Sequence, residues 1–286
     1  MNNYEKLEGM VAATFTPLDE NGDVNLSVID KYADWIASTP IKGVFVCGTT
    51  GEFSSLTIDE RKLILEKWLV SARKRFKVIA HVGSNCQRSA MELARHAAQV
   101  GADAIASIAP SFFKPGTVDE LVDFFAPICH SAAGLPFYYY NMPSITGVNL
   151  PVDKFLVEGK KKIPNLVGTK FTHNNLMEMG VCIELEQHRF EVLHGYDEIL
   201  ISGLAMGAVA GVGSTYNYIP NVYQAIFDSM KMNDLETARH NQIKSIRTVE
   251  VIIKYGGGVR GGKAIMKLIG IDCGSCRLPI EFFIQL

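Results

Sequence analysis

The segment "GVFVCGTTGEFSSLTIDE" (Gly43–Glu60) contains the elements of one strand-and-helix unit. Its first residues, Gly43–Val46, are mostly apolar and β-branched and predict a short strand. A turn rich in glycine and threonine follows. Thr57 and Glu60 then have the spacing of a capping box, in which two side chains satisfy amide groups at the start of a helix. The segment therefore predicts a strand, a turn and the beginning of a helix.

The same alternation recurs along the whole chain. Short runs of apolar, β-branched or aromatic residues predict eight strands, and segments of helical periodicity lie between them. Alternating strands and helices indicate parallel pairing, and eight such units close a barrel. We therefore predict an α/β fold, a (β/α)8 TIM barrel with a C-terminal helical extension. The predicted strands begin at Gly9, Gly43, Lys77, Ala104, Phe137, Leu166, Glu191 and Ala210.

Further signals predict where helices begin, end and face the barrel. A second capping box lies at Thr117 and Glu120, and Gly101 and Gly134 stand where helices should end. Apolar residues at helical spacing predict the buried faces of two helices. These residues are Ile29, Tyr32 and Ile36 in the first helix, and Met91, Ala94 and Ala98 in the third.

The chain of 286 residues, 48% of them hydrophobic, can bury a large core. Residues 1–232 are assigned to the barrel and residues 233–286 to a helical extension of the same domain. An open doubly wound sheet is the structural alternative. That fold normally has a glycine-rich phosphate turn after its first strand, and the segment "TFTPLDENGD" is not one.

Charge and composition exclude several classes of partner. The 28 Lys and Arg residues against 30 Asp and Glu give a net charge of −2, without the excess of basic residues expected for nucleic acid or membrane binding. Small molecules or further copies of the chain are the expected partners. With neither a signal peptide nor a long apolar run, we expect a cytoplasmic protein. The pair Cys273 and Cys276 lacks a second pair for zinc, so no metal is predicted.

Lys170 stands inside a predicted strand, "LVGTKFT" (Leu166–Thr172), where a charged side chain is unusual. An uncompensated ammonium group is costly in an apolar interior. A lysine with the usual pKa of about 10.4 is a poor nucleophile at neutral pH, whereas burial disfavours the charged form. A buried and neutral Lys170 would suit Schiff-base chemistry with a carbonyl substrate. A lysine paired with a carboxylate inside the barrel is the alternative.

Other polar residues follow the strands at the barrel end that forms active sites. Thr49 and Thr50 lie in a glycine-flanked turn that could bind a carboxylate or phosphate, or could be an ordinary tight turn. Tyr140 is the last residue before the turn after strand five, and packing is its alternative role. Asp197 and Glu198 could charge the first turn of the next helix or, with Ser214, bind the hydroxyls of a polyol.

A rival motif, "GGVRGGKA" (Gly257–Ala264), has the spacing of a phosphate-binding loop, and the preceding "VEVIIKY" could pass for a strand. Ala264 stands where that motif needs serine or threonine for magnesium. The segment also follows the eighth strand instead of opening a βαβ unit, so nucleotide hydrolysis is a weak alternative.

Five motifs together, in this order over Leu7–Pro279, resemble a known family. They are "GTTGE", a Tyr-Asn-x-Pro turn, the lysine in "GTKFT", "GYDE" and "GSTYN". The chain resembles the pyruvate-dependent class I aldolases, a family that includes dihydrodipicolinate synthase and N-acetylneuraminate lyase. The resemblance implies that Lys170 forms the Schiff base, that Tyr140 transfers protons, and that Thr49 and Thr50 hold the substrate carboxylate. The positions that contact the sugar or its tail in sialate-cleaving members are Thr172, Gly195, Asp197, Glu198 and Ser214.

The resemblance also implies an activity. It implies reversible cleavage of N-acetylneuraminate to N-acetylmannosamine and pyruvate by a homotetramer that needs neither metal nor cofactor. Another pyruvate-dependent sugar-acid aldolase, or a non-catalytic keto-acid-binding protein on the same barrel, is the alternative. Two positions depart from the family pattern. Ile145 replaces the arginine of the synthases, and Phe112 replaces a tyrosine that in many bacterial members reaches the neighbouring subunit.

Overall fold

The computed structural model describes residues 4–132 and 134–280 of the chain. Eight β-strands are hydrogen-bonded in sequence order into a closed barrel, and the neighbouring strands pair in parallel. All eight predicted strands and the predicted fold class are therefore confirmed. The strands are β1 (Gly9–Ala13), β2 (Gly43–Val46), β3 (Lys77–His81), β4 (Ala104–Ile108), β5 (Phe137–Asn141), β6 (Leu166–Phe171), β7 (Glu191–His194) and β8 (Ala210–Gly213).

Within the described residues, helices follow the strands and continue after β8. Three 3₁₀ turns, at Phe53–Ser55, Asp197–Ile199 and Thr215–Asn217, lie after β2, β7 and β8. The α-helices are α1 (Val28–Ala37), α2 (Ile58–Ala72), α3 (Gln87–Gln99), α4 (Val118–Ser131), α5 (Pro143–Thr146), α6 (Val152–Lys162), α7 (Leu176–Glu184), α8 (Leu200–Ala205), α9 (Pro220–Lys231), α10 (Leu235–Lys254) and α11 (Gly258–Leu268).

Local signals in the sequence set the helix boundaries. Both predicted capping boxes form at the first turns of α2 and α4. Gly101 and Gly134 have positive φ angles of 81° and 98°, as expected for residues that end α3 and α4. The buried face of α1 is also confirmed.

The predicted face of α3 is wrong by about one position. Ala94 is buried, but Met91 and Ala98 are only half-buried. The buried stripe is formed by Ala90, Leu93, Ala94 and Ala97. The error arises because this helix has apolar residues on more than one stripe, so periodicity alone does not choose between them.

The segment after β8 is helical as predicted as far as Leu268, where α11 ends, whereas residues 271–280 of the predicted extension contain no helix. A short turn at Met232–Asp234 separates α9 from α10. The alternative reading as a phosphate-binding loop is wrong. The segment "VEVIIKY" lies in α10 and the following turn rather than in a strand, and Gly258–Ala264 form the beginning of α11. The last part of the predicted extension, 281–286, lies outside the described residues.

The strands are buried on both faces, as parallel barrel strands should be. In β5 the aromatic side chains alternate. Tyr139 packs against Phe155 of α6, with ring centroids 4.6 Å apart, and Phe137 packs against Phe125 of α4. Tyr140 has the opposite orientation, as the period of two in a strand requires.

The described residues group into two compact units. Unit 1 contains residues 4–8, 79–196 and 202–211, and unit 2 contains residues 9–78, 197–201 and 212–280. The assignment of residues 233–286 to an extension of the barrel domain stays a prediction. Among the described residues, none of the helices has the length and apolar character required to cross a bilayer.

Candidate active site

Lys170 and Tyr140 are neighbours on adjacent strands of unit 1. Tyr140 lies opposite Lys170 in the parallel pairing of β5 with β6. The Nζ atom of Lys170 is 4.0 Å from the centroid of the Tyr140 ring. Both residues are buried, with exposed fractions of 5% and 2%. The structure thus brings together the two residues that were predicted to form the Schiff base and to transfer protons.

The Tyr140 ring packs against the buried amine of Lys170. The edge of the His81 ring meets Tyr140, with centroids 5.9 Å apart. The Tyr140 hydroxyl donates a hydrogen bond to Sδ of Met142 at 3.0 Å. Because a thioether is a weak acceptor, a substrate oxygen can replace it as the partner of this hydroxyl.

Thr172 and Gly195 form a second part of the site in unit 1. The Thr172 amide donates to the Asn141 carbonyl at 2.9 Å, which continues the pairing of β5 with β6. Its hydroxyl is buried and has no hydrogen-bond partner among the described residues. A Cβ at Gly195 would lie 2.0 Å from this hydroxyl oxygen, so only glycine fits there. A buried hydroxyl without a partner is a natural place for a polar group of a ligand.

The turn that carries Thr49 and Thr50 belongs to unit 2. It is bracketed by Cys47 and Glu52, whose positive φ angles of 54° and 57° are unusual for residues with side chains. Such backbone strain is often found at binding sites, where surrounding contacts hold it in place. Thr49 and Thr50 are half-buried. Part of each residue is therefore exposed, which fits a role in anion binding.

Buried charges anchor this turn to α11 and to the segment that follows it. Glu52 Oε1 is 2.6 Å from Nζ of Lys263, and both side chains are almost fully buried. Lys263 also donates to the Ser275 carbonyl at 2.7 Å, and the Arg277 amide donates to Glu52 Oε2 at 2.9 Å. The Arg277 guanidinium pairs with Glu60, and this bond lowers the pKa of Glu60 to about 2. Lys263, the lysine of the rejected phosphate-loop motif, therefore has a structural partner.

The remaining predicted site residues of unit 2 lie around the 3₁₀ turns that follow β7 and β8. Asp197 is buried, whereas Glu198 and Ser214 are half-buried. Asp197 begins the turn Asp197–Ile199, and its carboxylate accepts two hydrogen bonds from Thr215. Asp197 thus lies in the first turn after β7, as one of the two predictions had it, and its carboxylate also binds Thr215. The Ser214 carbonyl accepts from the Asn217 side chain at 2.8 Å.

The two positions that depart from the family pattern lie on the surface of unit 1. Phe112 is 78% exposed and its ring meets Phe113, with centroids 5.0 Å apart. The Phe112 amide is held by Oδ1 of Asn85 at 3.3 Å. Ile145, in α5, is 62% exposed. No charged side chain therefore stands at position 145, where the synthases have arginine.

The sequence profile of the dihydrodipicolinate synthetase family matches residues 6–283 of the chain. The chain belongs to this family. Among curated relatives, it is 43% identical over 281 residues to the N-acetylneuraminate lyase of Mus musculus, covering 97% of this chain and 88% of that protein. It is 43% identical over 284 residues to the N-acetylneuraminate lyase of Gallus gallus, covering 98% of this chain and 92% of that protein.

Solved structures of the same family are also similar to this chain. The N-acetylneuraminate lyase of Proteus mirabilis has a TM-score of 0.95 at 36% identity, covering 98% of this chain and 94% of that chain. A dihydrodipicolinate synthase of Aquifex aeolicus has a TM-score of 0.89 at 26% identity, covering 97% and 93%. A catalytic lysine mutant of the Ruminococcus gnavus sialic acid aldolase has a TM-score of 0.94 at 27% identity, covering 99% and 93%.

Sequence reasoning missed the residues that support the site. Glu52, Lys263 and Thr215 were within quoted motifs but received no such role. A lysine on the apolar face of α11, three residues before the buried Met266, was a signal for Lys263. The partners of Glu52 could not be found in this way because they lie far away in the sequence. The partners of Thr215 are nearer, but they belong to other structural elements.

Proposed function

We propose that the chain is a class I aldolase that reversibly cleaves N-acetylneuraminate to N-acetylmannosamine and pyruvate through a Schiff base. The observation that carries this proposal is the buried Lys170 beside Tyr140 on adjacent strands. The names of the curated relatives in this family support the choice of substrate. Ile145 supports it too, because a second substrate carboxylate would have no arginine at this position.

In the proposed reaction, the neutral amine of Lys170 attacks the C2 ketone of the open-chain sugar acid. Loss of water gives an iminium ion, which accepts the electron pair released when the C3–C4 bond breaks. Tyr140 takes the proton of the C4 hydroxyl while it passes its own proton to the substrate carboxylate, so that N-acetylmannosamine leaves as an aldehyde. The resulting enamine is protonated at C3, and hydrolysis of the imine releases pyruvate and restores the amine.

The remaining predicted residues would bind and orient the substrate. We propose that Thr49 and Thr50 hold its carboxylate, which fixes the ketone near the amine. Contacts from Thr172, Asp197, Glu198 and Ser214 would bind the sugar and its polyol tail, and Gly195 would leave room for them. We further propose, from the family resemblance, that the enzyme is a homotetramer in the cytoplasm and needs no cofactor.

A pyruvate-release assay tests this proposal. The unchanged protein should release pyruvate from N-acetylneuraminate faster than from shorter keto-acid aldols. A Lys170→Arg variant keeps a positive charge but cannot form the Schiff base, so its rate should fall to background. If the variant retains activity, the mechanism is wrong. If the unchanged protein prefers a shorter aldol, the mechanism stands but the proposed substrate is wrong.

A further inference from the structure

The Asp197 carboxylate is held by Thr215, a residue of the "GSTYN" motif for which no role was predicted. Its Oδ2 atom accepts a hydrogen bond from the backbone N–H of Thr215 at 2.9 Å and another from the Thr215 hydroxyl at 2.6 Å. Both residues are buried, with exposed fractions of 5% and 3%. Two donors on one oxygen fix the direction of the carboxylate, because an ionised carboxylate only accepts hydrogen bonds.

The Thr215 hydroxyl is in turn the end of a buried chain of hydroxyl groups. It is hydrogen-bonded to the Tyr223 hydroxyl of α9, and that hydroxyl lies 2.7 Å from Oγ of Ser245 in α10. Each hydroxyl has one hydrogen to donate. Since Thr215 donates to Asp197, Tyr223 must donate to Thr215. The Ser245 hydroxyl has two acceptors within reach, the Tyr223 hydroxyl and the Asp197 carbonyl at 3.3 Å. The donors of Thr215 and Tyr223 thus point toward the carboxylate, and such aligned bonds strengthen one another.

Helix α10 also holds the backbone of the turn Asp197–Ile199. The Gln242 side-chain amide donates to the Asp197 carbonyl at 3.0 Å and to Oγ of Ser245 at 3.2 Å. The Gln242 side-chain oxygen accepts from the Ile201 amide at 2.9 Å. Helix α10 therefore fixes both the carbonyl and, through the hydroxyl chain, the carboxylate of Asp197.

This arrangement is more elaborate than helix packing requires. Apolar side chains would fill the space between α9 and α10 at lower cost than buried hydroxyls, which must each find a partner. Strand β8 is also adapted to the carboxylate, because a Cβ at Gly213 would lie 1.8 Å from Oδ1 of Asp197. Both observations point to a need for one exact orientation of Asp197.

We infer that Thr215, Tyr223 and Ser245 are positioning residues that orient Asp197 toward the polyol tail of the substrate and so determine selectivity for long sugar acids. This inference rests on the proposed function. It predicts that loss of the hydroxyl chain weakens recognition of the tail but leaves the reaction of pyruvate with Lys170 unchanged, because pyruvate has no tail.

The test compares two measurements on the 286-residue chain. One is kcat/KM for N-acetylneuraminate, and the other is the pyruvate concentration that gives half-maximal trapping by borohydride. Thr215→Val should lower kcat/KM roughly tenfold to a hundredfold, as expected for a lost hydrogen bond to a charged group. Tyr223→Phe should lower it roughly threefold to tenfold. Thr215→Ser keeps the hydroxyl and should restore most of the activity, while trapping by pyruvate should change less than about twofold in every variant.

Tyr218→Phe is the matched control, because the Tyr218 hydroxyl is buried but has no hydrogen-bond partner among the described residues. It should leave both measurements unchanged. The inference is refuted if Tyr223→Phe behaves like this control, or if Thr215→Val weakens pyruvate trapping as much as sugar-acid cleavage. The proposed function is tested separately by the unchanged protein, which must cleave N-acetylneuraminate and be trapped by borohydride with pyruvate. If the unchanged protein does neither, the proposed function fails before the variants are compared.

Discussion

Glu191, the first residue of β7, gives a quantitative prediction for stability against pH. Its Oε2 atom accepts hydrogen bonds from the Leu7 amide at 2.8 Å and the Tyr138 hydroxyl at 3.1 Å. Its Oε1 atom is buried and has no hydrogen-bond partner among the described residues. Burial raises the pKa of Glu191 from 4.5 to about 7, against the opposing effect of the Leu7 hydrogen bond. The change that tests this is Glu191→Gln, which resembles the protonated carboxyl.

The sign and size of the effect follow from proton linkage. Between pH 4.5 and about 7 the folded protein keeps a proton on Glu191 that the unfolded chain has lost. The free energy of unfolding therefore falls as pH rises through this range and is constant above it. At about 1.4 kcal/mol per pH unit, the total loss is about 3 kcal/mol as an upper value. Glu191→Gln cannot titrate, so at pH 8 it should be more stable than the unchanged protein by up to this amount.

Urea unfolding at fixed protein concentration, at pH 5 and pH 8, measures the effect. The unchanged protein should lose up to about 2.5 kcal/mol more than Glu191→Gln between the two pH values. Glu20→Gln, at an exposed turn position, is the control and should follow the unchanged protein. Equal pH dependence of the unchanged protein and Glu191→Gln would show that the carboxyl is already ionised in the folded protein, and the reasoning would fail.

Three further predictions concern the site and its support. Lys263→Met leaves Glu52 without its buried cation, so the free energy of unfolding should fall by about 3–5 kcal/mol. Urea unfolding measures this change. A loss below about 1 kcal/mol would contradict a stabilising role for the Glu52–Lys263 ion pair. Gly195→Ala should lower the free energy of unfolding by about 1–3 kcal/mol because its methyl group meets Thr172. Gly116→Ala, where a Cβ has only an ordinary contact at 3.5 Å, is the control and should have little effect in the same urea unfolding experiment. Tyr140→Phe removes the proton-transferring hydroxyl, so kcat should fall roughly a hundredfold or more while trapping of pyruvate by borohydride persists. Equal losses in steady-state turnover and in trapping would exclude the proton-transfer role of Tyr140.

The fold could be predicted because each strand left a local signal. Parallel strands are buried on both faces and so appear as short apolar runs, and the capping boxes at Thr57 and Thr117 define helix starts with two residues each. The face of α3 could not be predicted, because Met91 and Ala98 are as apolar as the alanines that are buried. Packing against neighbouring elements decided between them.

The reacting residues could be predicted for a similar reason. Lys170 and Tyr140 stand on adjacent strands, and β-strand alternation and pairing place them side by side. The supporting contacts could not, because Glu52 and Arg277 are 225 residues apart and Asp197 and Gln242 are 45 apart. Spacing within a motif carries no information about such partners. The glycine pattern around Lys263 even suggested a phosphate site where the fold uses a buried ion pair.

Covalent trapping with pyruvate tests whether Lys170 forms the Schiff base. Sodium borohydride added with pyruvate reduces an imine to a stable secondary amine, and mass spectrometry of peptides locates the modified lysine. The chain has further lysines, many of them exposed, that serve as internal controls. We predict modification of Lys170 and of no other lysine. Modification elsewhere, or cleavage of N-acetylneuraminate without any trapped product, would contradict it.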